Sequence, residues 1–256
     1  MNPLLPFIMA GDPSLEALPA LLAEAKTLGI EAMEIGLPHS DPIADGPVLQ
    51  AAAQRAIARG VTPRRALETL AGLEASPDII LFTYLNPLLQ WEADELLRLL
   101  RPTPVKALLV VDLPFGEEPG FESAMRDGGY PVVPLLAPTT GMSRARALLA
   151  ERPDPGEAYP FAQRFAYVVA RLGVTGQGAT DLASVAARLE DLKRITDRPL
   201  AVGFGLSDPA SLAAIRDMDA TPVIGSALVK ELAEGGDFSE ALKPRLPSRV
   251  SPAEEA

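Results

Sequence analysis

The stretch Glu34–Pro47 reads EIGLPHSDPIADGP, and the run Ala32–Gly36 that leads into it is apolar on both sides of one acid. This is the pattern of a buried β-strand that ends in a carboxylate and turns into a loop stiffened by Pro38 and Pro42. A second carboxylate, Asp45, stands at the far end of that loop. Two acids delivered to one pocket, in different environments, can act as acid and base on a single substrate. Working outward, seven further apolar runs follow the same rule: Leu5–Ala10, Ile79–Phe82, Ala107–Val111, Val132–Leu136, Phe165–Ala170, Leu200–Val202 and Val223–Ile224. Most are rich in Val, Ile, Leu or aromatics and are bounded by Gly or Pro, as buried parallel strands are. Helical spacing lies between them. Leu15, Leu18, Leu22 and Ala25 follow an Asp12-Pro13 start, and Leu182, Val185, Leu189 and Leu192 repeat the pattern later. Eight strands alternating with helices predict a single (β/α)8 barrel, with an open doubly wound sheet as the alternative. The barrel is expected over residues 1–247, with a disordered tail at 248–256. The echo between GDPSL (Gly11–Leu15) and SDPASL (Ser207–Leu212) suggests repeated βα units.

Composition narrows the function. The chain has 256 residues and a net charge of -11, with 34 acidic against 23 basic side chains. That balance disfavours nucleic acid and anionic membranes, which require a basic face. It leaves room for a small anion held by backbone N–H groups. The chain contains no cysteine, so disulfides, thiol catalysis and zinc–thiolate sites are excluded. The N-terminal residues have no basic leader, and no apolar run approaches the roughly 18 residues of a membrane span. A soluble cytoplasmic protein is expected.

Barrel chemistry occurs where strands end. The strand ends supply Glu34, Tyr84 in TYLNP, Asp112 in VDLP, Tyr167 followed by GVTG, Gly205 in GFG, and Gly225-Ser226. Phosphate sites in barrels are commonly built after strands seven and eight. Gly176, Gly205 and Gly225 let a ligand approach the backbone, and Gly225-Ser226 opens a helix whose free N–H groups favour an anion. Taken one at a time, these glycines read better as turns and C-caps; together, on adjacent strand ends, they favour a phosphate. Lys230 falls one turn into that helix and reads as a surface residue. An inward Glu34 would have its pKa raised by an apolar pocket, which suits proton transfer.

EIGLPHSDPIADGP, TYLNP, VDLP, GVTG, VGFGLS and IGSALVK, in that order, resemble the tryptophan synthase α-subunit family. PFIMAGDPS resembles that family's first strand. The resemblance spans nearly the whole chain. It implies a lyase that cleaves indole-3-glycerol phosphate by retro-aldol reaction into indole and glyceraldehyde 3-phosphate. No metal or organic cofactor is implied in this subunit, and pyridoxal phosphate is expected only in the β partner. By the resemblance, Glu34 protonates indole C3 and takes the glycerol hydroxyl proton, while Asp45 stays ionised and holds the indole N–H. Phe7 and Tyr84 line the indole pocket, Tyr167 stands beside the glycerol, and Thr175 meets Asp45 when its loop closes. Gly176, Gly205, Gly225 and Ser226 carry the phosphate. A β subunit docks on the active-site face in an α2β2 assembly, with Asp41 and Pro42 among its contacts, and indole passes through a tunnel.

The chain departs from the family pattern in four places. The usual N-terminal helix is short or missing. The only histidine, His39, replaces a common Phe or Tyr beside the β-docking surface. The segment DATPVIGS before the last phosphate glycine is short and carries Pro222. The Arg152–Arg164 link exceeds the typical two to six residues of such a connection, and belongs to the barrel bottom, away from chemistry. Asp112 is the rival acid, with a structural hydrogen bond as its other reading, and Trp91 reads as packing. Two other functions compete. A sugar-phosphate isomerase or indole-glycerol-phosphate synthase would share the phosphate glycines, although the synthase calls for a strand-end lysine that this chain lacks. A non-enzymatic activating subunit would need neither Glu34 nor Asp45.

Overall fold

The computed structural model describes residues 4–114, 116–170, 181–203, 206 and 208–247. Thr175, Gly176 and Gly205, and the tail at 248–256, lie outside the described residues. Eight parallel strands form one sheet: β1 (Leu5–Met9), β2 (Ala32–Gly36), β3 (Asp78–Thr83), β4 (Val105–Val110), β5 (Leu135–Leu136), β6 (Ala166–Val169), β7 (Leu200–Gly203) and β8 (Thr221–Ile224). Their order is β4-β3-β2-β1-β8-β7-β6-β5. The first and last of these meet through a parallel bridge, Leu108 to Val132, so the sheet closes on itself. The helices between the strands cover the outside of a (β/α)8 barrel. In register, Phe7 lies opposite Glu34, and Glu34 opposite Ile80. None of the described helices is long and apolar enough to cross a membrane.

Strand five is shorter than the run Val132–Leu136 predicts. Pro131 and Pro134 have no N–H to give to the ladder. The seam is therefore held at one residue of β4, where Leu108 N–H reaches the Pro131 carbonyl at 3.0 Å and Val133 N–H reaches the Leu108 carbonyl at 2.8 Å.

The first helix also differs from expectation. It spans Leu18–Thr27 and does not begin at Asp12-Pro13. Asp12 is 5% exposed and engaged elsewhere. Its carboxylate receives Arg55 Nε at 2.9 Å and Nη2 at 2.6 Å, and Arg59 Nη1 at 3.3 Å. Asp208, its counterpart in the sequence echo, does cap a helix, accepting Ser211 N–H at 2.9 Å. Similar letters therefore do different work. The Asp12 fork ties the loop after β1 to the helix Pro47–Ala58, which starts two residues after Asp45. Asp12→Asn is expected to destabilise the fold by about 1–3 kcal/mol, because a charge-assisted fork is lost while the arginines stay partly solvated. Urea unfolding checks this, and an unchanged midpoint would show that the fork contributes nothing.

Candidate active site

The two acids of the opening stretch are both almost fully buried, at 1% exposure each. Glu34 is carried by β2 and points into the barrel. Burial raises the pKa of Tyr167 first, and the carboxyl groups of Glu34 and Asp45 add to the rise. Tyr167 is on β6, four strands away in the sheet order, so that coupling runs across the barrel interior. Glu34 Oε1 and Asp45 Oδ1 are buried and have no hydrogen-bond partner among the described residues. Burial alone pushes the Glu34 carboxyl well above the usual carboxylate range. Asp45 is raised to about 6, again by burial, with the Tyr84 hydroxyl opposing the shift. Both acids are therefore perturbed, but unequally. With its pKa near 6, Asp45 is mostly charged at neutral pH, while burial makes Glu34 the more reluctant of the two to ionise.

Asp45 is aimed by a network. The Tyr84 hydroxyl accepts Ala44 N–H at 3.0 Å and hydrogen-bonds the Asp45 carboxyl. Asp45 N–H in turn bonds the Pro42 carbonyl at 3.1 Å, closing the turn. Tyr84 is held from two sides. Asp112 Oδ1 accepts Leu85 N–H at 2.7 Å, which fixes the loop after β3. The His39 ring stacks on Tyr84 with centroids 4.9 Å apart. Asp112 thus takes its structural reading. His39, read from sequence as a loop residue, supports the tyrosine that orients Asp45, and only three-dimensional contact reveals this.

The apolar wall follows from close packing at strand ends. Phe7 meets Phe82 edge to face at 5.1 Å. A Cβ on Gly36 would fall 2.5 Å from the Phe7 ring, so that position must stay bare. Gly203 is bare for a parallel reason, since a Cβ there would lie 1.8 Å from the Tyr167 hydroxyl. Gly203→Ala is expected to displace the Tyr167 ring, costing about 1–3 kcal/mol of stability and at least about tenfold in turnover. Denaturant unfolding and steady-state kinetics read both effects, and a neutral variant would contradict this placement of Tyr167.

Gly225 follows β8 and precedes the helix Ser226–Ala233. A Cβ on Gly225 would make only ordinary contact with Phe7 at 3.5 Å, so packing does not demand a glycine there. Pro222 lies within β8 without breaking it, because the strand still pairs with both neighbours. Lys230 is exposed, 3.9 Å from Glu234, as its surface reading requires. The structure therefore brings Glu34, Asp45, Phe7, Tyr84, Tyr167, Gly225 and Ser226 to the C-terminal end of the barrel. Asp41 is exposed and Pro42 half-buried on the same rim. Sequence reading passed over Ile43, beside them, which is 77% exposed. An apolar side chain presented this openly is a contact signal that burial reveals and composition does not.

A closed eight-stranded barrel with two buried, unequally perturbed acids, one on a strand and one in the loop after it, defines an enzyme site of the acid–base class. Comparison with known proteins sharpens that class. Residues 1–255 match the family model described as tryptophan synthase alpha chain. The tryptophan synthase alpha chain of a Picosynechococcus strain is 38% identical, over 94% of this chain and 92% of that protein. That of Phenylobacterium zucineum is 35% identical, over 96% and 86%. Among solved structures, a chain from work on the Pyrococcus furiosus tryptophan synthase α2β2 complex superposes with a TM-score of 0.81 at 28% identity, covering 96% of this chain and 99% of that one. A Mycobacterium tuberculosis tryptophan synthase chain gives 0.82 at 26% identity, over 95% and 91%. The chain belongs to the tryptophan synthase alpha chain family.

Proposed function

We propose that this chain cleaves indole-3-glycerol phosphate to indole and glyceraldehyde 3-phosphate, as the α subunit of a tryptophan synthase. The observation that carries the reading is the pair of buried carboxyl groups, Glu34 pushed well above the usual carboxylate range and Asp45 to about 6. Glu34, protonated, gives its proton to indole C3. The ring then carries positive charge delocalised onto N1, which the Asp45 carboxylate stabilises while accepting the N–H. Glu34, now a carboxylate, takes the proton of the glycerol hydroxyl next to the ring. The C–C bond breaks, its electron pair returns to the ring, and an aldehyde and indole result. Glu34 ends protonated, as it began. One proton carrier and one fixed charge suffice, so the reading assigns no metal or organic cofactor to this chain and leaves pyridoxal phosphate to the β partner.

Phe7 and Tyr84 would hold the indole ring, and Tyr167 would stand beside the glycerol. The phosphate would rest on the N-terminus of the helix Ser226–Ala233, with Gly225, Gly205 and Gly176 giving backbone access. Thr175 would close on Asp45 with its loop. Asp41, Pro42 and the exposed Ile43 would meet the β subunit in an α2β2 assembly. Because Asp45 N–H bonds the Pro42 carbonyl, β docking would bear directly on the aim of Asp45. Indole would then pass to the partner through a tunnel. A cytoplasmic location fits a metabolic lyase. The test is to incubate the purified chain with indole-3-glycerol phosphate, alone and with a tryptophan synthase β chain, and to measure indole. Indole release is expected, faster with β present. No indole in either case would sink the reading.

A further inference from the structure

The Arg152–Arg164 link, longer than a connection needs to be, does not lie idle on the barrel bottom. It walls a cavity of about 390 Å³ beneath β5 and β6, at the end of the barrel opposite Glu34 and Asp45. A volume of that size is in the range of small-molecule pockets. One side is apolar: Val132, Val133, Pro134, Pro155 and the half-exposed ring of Tyr159. The other side carries arginines that are nearly as buried as the core, Arg152 at 8% and Arg198 at 7% exposure. Buried guanidinium groups normally come with a carboxylate partner. Arg152 has one, donating to Glu122 at 2.6 Å. Arg164 has one, Asp154 at 3.1 Å. Arg198 forms no ion pair among the described residues, and its guanidinium is answered only by the Phe165 carbonyl at 3.4 Å. Arg198 also borders two neighbouring cavities on the same face, so its charge stands where the bottom surface opens. Loss of hydration lowers its pKa to about 10, against the partial help of Asp154. Arg152 Nη2, a donor, and Glu122 Oε1, an acceptor, are both buried at this cavity with no partner among the described residues.

We infer that this cavity is a binding site for a small organic carboxylate with an aryl or branched apolar body. The anionic head would pair with Arg198, and the body would lie on the proline–valine wall and Tyr159. A carboxylate fits better than a phosphate. The surplus is one unpaired guanidinium, and Glu122 and Asp127 at the cavity edge oppose a dianion. A ligand here would bind the link to the feet of β5 and β7, stabilising the fold by mass action. The site is separate from the proposed lyase chemistry and does not depend on it.

The test is a titration of the full chain, with Val and Met methyl groups labelled for NMR, using 3-phenylpropionate. The neutral 3-phenylpropanamide and inorganic phosphate are the control arms. The methyls of Val132 and Val133 are expected to shift in a saturable way with the carboxylate, and not with the amide or phosphate. Arg198→Met is expected to weaken binding at least about tenfold, the loss of one charge-assisted contact. Should Arg198→Met fail to fold, Tyr159→Ala, at a half-exposed position, keeps the fold and is expected to weaken binding severalfold. The inference is overturned if Val132 and Val133 do not respond, or if only the Met9 methyl near the other mouth of the barrel shifts. It is equally overturned if amide or phosphate matches the carboxylate, or if affinity is unchanged in a folded variant.

Discussion

Replacing Glu34 by Gln is expected to lower the rate of indole release by about 10²–10⁴-fold, the range that a positioned acid–base group contributes, while making the fold more stable. Gln keeps the shape but carries no transferable proton. The stability gain follows from the same burial that makes Glu34 useful. Its folded pKa lies above its unfolded value because burial penalises the charge. The folded state therefore holds the proton more tightly. That contribution is complete at pH values below the ordinary carboxylate range and is lost as pH rises through the folded value. Glu34→Gln removes the loss. Stability of the variant should match wild type at pH values below the ordinary carboxylate value of 4.5 and exceed it by about 1–3 kcal/mol in alkali, roughly the cost of a buried group left unsatisfied. Guanidinium unfolding at about pH 4 and about pH 9, on either side of the window that linkage defines, reads the difference. Equal stabilities at both values would mean that Glu34 is better solvated than its 1% exposure indicates.

The second large effect belongs to Asp45. Asp45→Asn should cost about 10²–10³ in turnover, because the charge that stabilises the protonated ring is lost, as when a fixed electrostatic partner is removed from a transition state. The pH dependence is the more specific signature. Asp45 must be ionised, and its pKa is about 6. The profile of kcat/KM should therefore fall as pH drops through about 6, and this acid limb should vanish from the residual activity of Asp45→Asn. Tyr84→Phe removes the hydroxyl that favours the charged form, so the limb should move to higher pH. A limb near pH 4, or one that Tyr84→Phe shifts downward, would contradict the assignment.

Much of this was legible in the sequence because it is local. The strands betray themselves as short apolar runs bounded by Gly and Pro, and the Glu34–Pro47 stretch puts both acids within one strand and its loop. Other features depend on partners far away in the chain. Asp12 reads as a helix start until Arg55, 43 residues on, takes its carboxylate. Strand five reads as five residues, but prolines on both sides of its first pair leave it little to bond with. His39 reads as a loop residue, and its stacking on Tyr84 joins elements 45 positions apart in number. The pKa of Asp45 depends on burial, which no spacing encodes. Gly203 reads as the first residue of the GFG that ends strand seven, whereas its immediate reason is the Tyr167 hydroxyl. The unpaired Arg198 is visible only once the neighbouring arginines are seen to have taken the nearby acids.

The division of labour between the two acids can be measured directly. Carbon-13 NMR of the chain labelled at its Glu and Asp carboxyl groups, with Glu34→Gln and Asp45→Asn used to assign the resonances, follows each group through a pH titration. Glu34 is predicted to titrate well above the ordinary carboxylate range, and Asp45 near 6. A Glu34 resonance that titrates in the ordinary carboxylate range would leave the site with two charged acids and no proton to give, and would contradict the account.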